Sequence, residues 1–238
     1  MSVTAIKLEN INKKYYAHNK NINVLKNFNY DFEYNKVYGI IGRSGCGKST
    51  LLKIIGLIDN YDSGNLYING ELINNLSYDD LAKIRNEQIG FIFQDYLLDD
   101  NLNVIDNIML PIFANRNNNY NNKKKYARSL LRKYNLEERI NHYPKELSGG
   151  EAGRTAIIRA LINNPNIILA DEPTGNLDKE TEKKILGDLK NLASKDRCVI
   201  IVSHSSIIKN YVDILIDMEN IAIWYLIMQK NTYLSKTI

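Results

Sequence analysis

The run Gly42-Arg43-Ser44-Gly45-Cys46-Gly47-Lys48-Ser49-Thr50 sets glycines, a lysine and hydroxyls close together, a combination suited to cradling phosphate. Residues 42–49 fit Gly-x-x-x-x-Gly-Lys-Ser/Thr. Glycines let the backbone curl so that successive N–H groups turn toward phosphate oxygens, and a helix starting there adds partial positive charge. Lys48 is then expected to reach the β- and γ-phosphates, and the Ser49 hydroxyl to ligate Mg²⁺. A second glycine turn, Leu147-Ser148-Gly149-Gly150-Glu151, opens another helix and forms a second anion-binding helix N-terminus, to which Ser148 can add a hydroxyl. Downstream, the apolar run Ile167-Ile168-Leu169-Ala170 ends in Asp171-Glu172. Adjacent carboxylates at the end of a core strand are costly unless a cation or a reaction uses them. Asp171 suits the hydration shell of Mg²⁺, and Glu172 suits a general base that polarises an attacking water. A third apolar run, residues 198–202, ends at Ser203-His204, which puts His204 in position for a γ-phosphate contact.

These groups need strands that deliver them to one edge. Val37-Tyr38-Gly39-Ile40-Ile41 reads as the buried strand before the first glycine loop, and residues 51–58 as the helix after it. The runs at 5–11 and 28–32 alternate apolar with polar, and Tyr15 and Tyr16 follow the first in a polar stretch. Residues 65–70 read as a strand ending in an Asn-Gly turn. Together these pieces predict a small antiparallel sheet beside a nucleotide core. A capped helix at 77–85 precedes a buried strand at 89–93 that ends at Gln94. From Asp95 to Glu146 the character changes: helices are expected at 104–110 and 126–134, separated by a polar loop at 115–122. The glycine turn at 147–151 opens a helix reaching Leu161. A strand at 214–218 is followed by an apolar run at 221–228, read as a buried edge strand. Strand ends carrying polar residues are where ligands sit in parallel α/β sheets.

Composition bounds the remaining classes. The 238 residues are 44% hydrophobic and 24% charged, ordinary values for a globular protein. A net charge of +4, from 31 basic and 27 acidic residues, is too small an excess to argue for nucleic acid. No signal-like apolar core opens the chain, and no run approaches the roughly 18 apolar residues of a membrane-crossing helix. Cys46 and Cys198 show neither metal-ligand spacing nor a disulfide framework, which points to a reducing cytosol.

The ordered set comprising the loop at 42–49, Gln94, the turn at 147–151, Asp171-Glu172, residues 175–178 and His204 resembles the ATP-binding cassette (ABC) ATPases, over nearly the whole chain to about residue 218. The resemblance implies an α/β fold: a P-loop NTPase (RecA-like core) with an antiparallel β-subdomain and an ABC helical subdomain. It implies one ABC ATPase domain over residues 1–238, with the core and β-subdomain at about 1–94 and 161–238 and the helical subdomain at about 95–160. ATP and Mg²⁺ are the implied ligands. Gly42 to Thr50, including Arg43, Ser44, Gly45, Cys46 and Gly47, would wrap the phosphates, and Tyr15, with Tyr16 as the neighbouring alternative, would stack on adenine. Gln94 would touch Mg²⁺ and the lytic water while sensing the membrane partner. Ser148, Gly149, Gly150 and Glu151 would close over ATP held by another copy, so the resemblance implies a head-to-tail homodimer on ATP binding. Asn176, Leu177 and Asp178 would communicate across that interface.

Within the family, Glu151 and the run Glu172-Pro173-Thr174-Gly175-Asn176-Leu177-Asp178 resemble the LolD/MacB/FtsE-like group, which includes lipoprotein-release and peptide-export ATPases. That implies an ATPase peripheral to the cytoplasmic side of the cell membrane, held by a transmembrane permease of the FtsX/MacB kind and exporting or extracting peptide-like, lipoprotein or lipophilic cargo. The alternative is an FtsE-like ATPase whose membrane partner regulates cell-wall enzymes without transport. Members acting on ribosomes carry two cassettes and those acting on DNA carry long coiled coils; the sequence shows neither feature.

One stretch departs from the pattern. Relatives usually continue the signature as Glu-Gln-Gln-Arg, whereas here it reads Glu151-Ala152-Gly153-Arg154. A helical glycine costs roughly 1 kcal/mol against alanine, so the sequence predicts a looser helix start and slower hydrolysis than with glutamines at 152 and 153. Lys48→Ala is expected to weaken ATP binding itself; an unchanged dissociation constant in equilibrium titration would overturn the role given to Lys48.

Overall fold

In the computed structural model, which describes residues 3–17, 20–114, 120–175 and 177–220, two long strands come first. β1 (Thr4–Ala17) and β2 (Lys20–Glu33) pair antiparallel, with register shifts between Leu8 and Lys14. β3 (Val37–Ile41) leads into α1 (Lys48–Ile55), and β4 (Ser63–Ile68) turns through Asn69-Gly70 into the short β5 (Glu71–Leu72). Asn69 and Gly70 take φ of 53° and 82°, as an Asn-Gly hairpin turn requires. Next come α2 (Tyr78–Gln88), β6 (Ile89–Ile92), α3 (Val104–Phe113) and α4 (Tyr120–Lys133). The chain continues with α5 (Gly149–Leu161), β7 (Ile167–Asp171), α6 (Lys179–Lys190), β8 (Cys198–Val202) and β9 (Ile214–Asp217).

The strands form two sheets. One is antiparallel in the order β2-β1-β4-β5, and the other is parallel in the order β6-β7-β8-β3-β9. The parallel strands are apolar on both faces. Ile168, Ala170, Val199 and Ile201 face one core, built with α3, α4, α5 and α6. Ile167, Leu169, Cys198, Ile200 and Val202 face the other, built with α1 and the antiparallel sheet. Continuous apolar runs of this kind are what a sheet covered on both sides demands. The fold is therefore the expected α/β nucleotide-binding core with an antiparallel sheet against one face and a helical layer on the other. The same topology brings the C-terminal ends of β3, β6, β7 and β8 to one edge.

Several elements differ from the sequence reading. Tyr15 and Tyr16 lie within β1, opposite Ile22 and Asn21, rather than beyond its end. α4 starts at Tyr120, so residues 120–122, expected in a loop, are helical. Its first turn is Asn- and Lys-rich, and only Ala127, Leu130 and Leu131 carry the apolar period. α6 was not anticipated; it is capped by Asp178, whose carboxylate accepts from the Glu180 and Thr181 N–H groups at 3.0 Å each, and it buries Ile185, Leu186 and Leu189. Asn176, residues 115–119 of the polar loop and the edge strand expected at 221–228 lie outside the described residues.

α5 crosses β6 at close range, and Gly90 permits it. A Cβ at Gly90 would stand 2.4 Å from the Ala160 carbonyl oxygen. Gly90→Ala is therefore expected to destabilise the fold by about 1–3 kcal/mol, read as a lower urea midpoint; an unchanged midpoint would contradict this contact.

Candidate active site

The first glycine loop leaves β3 at its C-terminal end, where Gly42, Gly45 and Gly47 take φ of 147°, 81° and 101°. Gly47 caps α1 in the left-handed region. A side chain there would be strained and would also meet Val24 Cγ1 at 2.9 Å, because β2 closes over the loop. Lys48 is buried and folds across the loop, donating to the Gly42 and Arg43 carbonyls at 2.8 and 3.0 Å. Cys46 fills the space beside Gly42, with its Sγ 4.0 Å from Lys48 Nζ. Arg43 points outward, and its backbone N–H donates to Glu219 Oε1 at 3.2 Å. Ser49 Oγ donates to Asp171 Oδ1 at 2.9 Å, joining the start of α1 to the end of β7.

An open cleft of about 610 Å³ lies above these groups, lined by Val24, Ser44, Gly45, Gly47, Lys48, Ser49, Thr50, Gln94, Glu172, Gly175 and His204. Gln94 enters from the end of β6 and His204 from the end of β8. Glu172 sits just beyond β7 in the left-handed region, with φ 48°. Its N–H donates to the Val202 carbonyl at 3.0 Å, and its Oε2 accepts the His204 N–H at 3.1 Å. Its Oε1 is buried and has no hydrogen bond among the described residues. His204 Nε2 stands 3.3 Å from that oxygen without the alignment of a hydrogen bond. Burial raises the Glu172 carboxyl above the ordinary value of 4.5, with the His204 N–H pulling the other way.

Tyr15 lies on β1 and is not among the residues lining the cleft. Its hydroxyl bonds to the Asp59 carboxylate, which also takes Lys13 Nζ at 2.9 Å. The same ammonium lies 4.8 Å from the centre of the Tyr15 ring, a cation–π distance. Burial works against the Asp59 charge, yet the hydrogen bonds from Tyr15 and Lys13 hold its carboxyl below the usual range. Tyr16, the neighbouring candidate, is 73% exposed against 38% for Tyr15.

Ser148, Gly149, Gly150 and Glu151 do not line this cleft. They form the start of α5 as a capping box: Glu151 Oε2 accepts from the Ser148 N–H at 2.8 Å and from Ser148 Oγ at 2.9 Å. Glu151 Oε1 takes Arg139 Nε at 2.8 Å. The Arg139 hydrogen bond, joined by those from Ser148, brings the Glu151 carboxyl down to about 2. Both oxygens of Glu151 are thus engaged in holding the turn. The chain therefore carries two glycine-opened helix starts at separate places. Sequence reasoning missed the groups that support them: Val24 against the loop, Lys13 and Asp59 behind Tyr15, and Arg139 behind Glu151. Each is an ordinary residue whose relevance comes only from a distant partner.

The comparisons agree with this geometry. A family model described as "ABC transporter" matches residues 25–175. The lipoprotein-releasing system ATP-binding protein LolD of Buchnera aphidicola is 36% identical over 221 residues, covering 92% of this chain and 96% of its own length. The macrolide export ATP-binding/permease protein MacB of Vibrio parahaemolyticus is 35% identical over 92% of this chain, which spans 34% of that longer protein. A dimeric, post-hydrolysis structure of the ATP-binding cassette MJ0796 of Methanocaldococcus jannaschii, bound to ADP and Pi, superimposes with a TM-score of 0.81 at 39% identity, covering 89% of this chain and 93% of that one.

Because folding lowers the Glu151 carboxyl from 4.5 to about 2, its stabilising contribution is complete above 4.5 and is lost as pH falls toward 2. The stability deficit of Glu151→Gln, measured by denaturant unfolding across that acid range, is expected to shrink with falling pH. A deficit independent of pH would contradict the ion pair.

Proposed function

Given that this chain belongs to the ABC transporter family of ATPases, we propose that it powers export or extraction of peptide-like, lipoprotein or lipophilic cargo through a separate transmembrane subunit of the FtsX/MacB kind. It is an ATP-binding and ATP-hydrolysing domain. The names of its relatives, lipoprotein release and macrolide export, favour transport over the regulatory alternative.

The observation that carries the mechanism is the buried, unbonded Oε1 of Glu172 at the mouth of the cleft. A buried carboxylate oxygen without a partner is costly, so the carboxylate would gain by turning that oxygen toward an attacking water in the cleft. Burial raises the carboxyl, which makes Glu172 a better proton acceptor than an exposed glutamate. His204 holds the other oxygen and faces the same space. The loop N–H groups and Lys48 bind phosphates, and the Tyr15 ring, steadied by Asp59, takes the adenine. Ser49 and Asp171 offer a hydroxyl and a carboxylate 2.9 Å apart. With Gln94 they fit Mg²⁺, a hard cation bound by few protein oxygens plus substrate phosphate; bound there, it would offset charge on the phosphates.

The α5 cradle lies outside that cleft, which supports a head-to-tail homodimer in which Ser148, Gly149 and Gly150 close over the partner's ATP while Glu151 anchors their turn. A groove of about 640 Å³ containing Phe91, Phe93, Leu97 and Pro111 lies beside Gln94, and Leu97 and Phe113 are 59% and 65% exposed. This groove would receive a cytoplasmic segment of the membrane partner and link its position to the cleft through Gln94. No described helix is long and apolar enough to cross a membrane, which fits attachment to the cytoplasmic face through that partner.

Glu172→Gln is expected to retain ATP binding, to lower hydrolysis by at least about a hundredfold, and to accumulate as a dimer in ATP on size-exclusion chromatography. Undiminished turnover would remove Glu172 as the base.

A further inference from the structure

Tyr96 stands two residues beyond Gln94 and reaches across the molecule. Its half-buried ring packs against the helical core, and its hydroxyl donates to the Pro173 carbonyl at 3.0 Å. Pro173 directly follows Glu172. Burial pushes the Tyr96 hydroxyl up to about 12, so it remains a donor across the neutral range. The ring has room because residue 153 has no side chain: a Cβ on Gly153 would lie 3.1 Å from Tyr96 Oη and 3.2 Å from Cζ.

The backbone around this contact is unusual on both sides. Tyr96 and Leu97 take φ of 58° and 45°, and Glu172 takes 48°. Non-glycine residues hold that region only where their surroundings over-determine it. Arg159 of α5 supplies one restraint by donating to the Leu97 carbonyl at 2.6 Å and to the Tyr96 carbonyl. The Tyr96 hydroxyl supplies the other, on the turn that begins at Glu172.

We propose that Tyr96 is a positioning residue for hydrolysis: its hydroxyl sets the Glu172-Pro173 turn relative to the Gln94 loop, and Gly153 is the opening in α5 that admits it. The proposal rests on reading Glu172 as the base and Gln94 as a cleft contact. It also reverses the sequence expectation at position 153. α5 is unbroken from Gly149 to Leu161, and any side chain at 153 would press on Tyr96 and on Ile185 Cδ1. A tyrosine that merely stabilised the core would change the melting temperature and leave the two kinetic constants alone.

The test is steady-state ATPase kinetics of the full chain carrying Tyr96→Phe, Gly153→Ala or both, with Glu172→Gln beside them. Tyr96→Phe is expected to lower kcat roughly three- to tenfold, the worth of one neutral hydrogen bond, with KM for ATP within about twofold. Gly153→Ala is expected to lower kcat similarly in the parent but much less in the Tyr96→Phe background, because the Tyr96–Pro173 hydrogen bond that the new methyl would disturb is already gone there. An unchanged kcat for Tyr96→Phe overturns the proposal, as does a rise in KM matching the loss, or losses that multiply independently in the double variant. Should Tyr96→Phe fail to fold, Gly153→Ala decides: an unchanged kcat overturns the proposal. Full turnover in Glu172→Gln would instead remove the reading beneath it.

Discussion

The hydrogen bond from the Ser49 hydroxyl to the Asp171 carboxylate, 2.9 Å long, joins the helix that follows the glycine loop to the end of the fully buried strand β7. Neither group could stay there alone: a carboxylate at the end of an apolar strand needs a donor or a cation, and the hydroxyl of a first helical turn needs something to face. The contact is possible only because β3 and β7 run parallel in one sheet with β8 between them. The same parallel arrangement delivers Gln94 from β6 and His204 from β8. An antiparallel order would send half of these residues to the opposite edge.

Around that contact the molecule holds two glycine-opened helix starts in different surroundings. The start of α1 is enclosed by Val24, Glu172 and His204 within its own chain. The start of α5 is braced from behind by Arg139 and Glu151, and its residues do not line the cleft at α1. That placement fits the proposed head-to-tail dimer, in which the Glu151 charge would be compensated by Arg139.

The elements legible in the sequence were those whose signal is local. β3 and β8 appear where five-residue apolar runs place them, and α2 begins at the serine cap, Ser77, whose Oγ accepts the Asp80 N–H. The elements that were illegible have diluted signals. α4 shows few apolar positions at its polar start, and α6 carries its period between lysines and glutamates. Gly153 is the instructive case. Read along the chain, a glycine after Glu151-Ala152 is a weak point in a helix. In three dimensions it is the space occupied by Tyr96.

Sequence alone determined the chemistry: a phosphate loop, a paired aspartate and glutamate, and a second glycine turn are recognisable because each depends on neighbours a few residues away, where backbone spacing dictates geometry. Tertiary structure decided which of these groups share a site, which of the adjacent tyrosines is fixed by Lys13 and Asp59, and that residue 153 lies against Tyr96 and Ile185. Those outcomes depend on side chains tens of residues apart meeting at contact distance. Such meetings are set by how the sheets and helices pack, and they leave no periodic trace in the order of the amino acids.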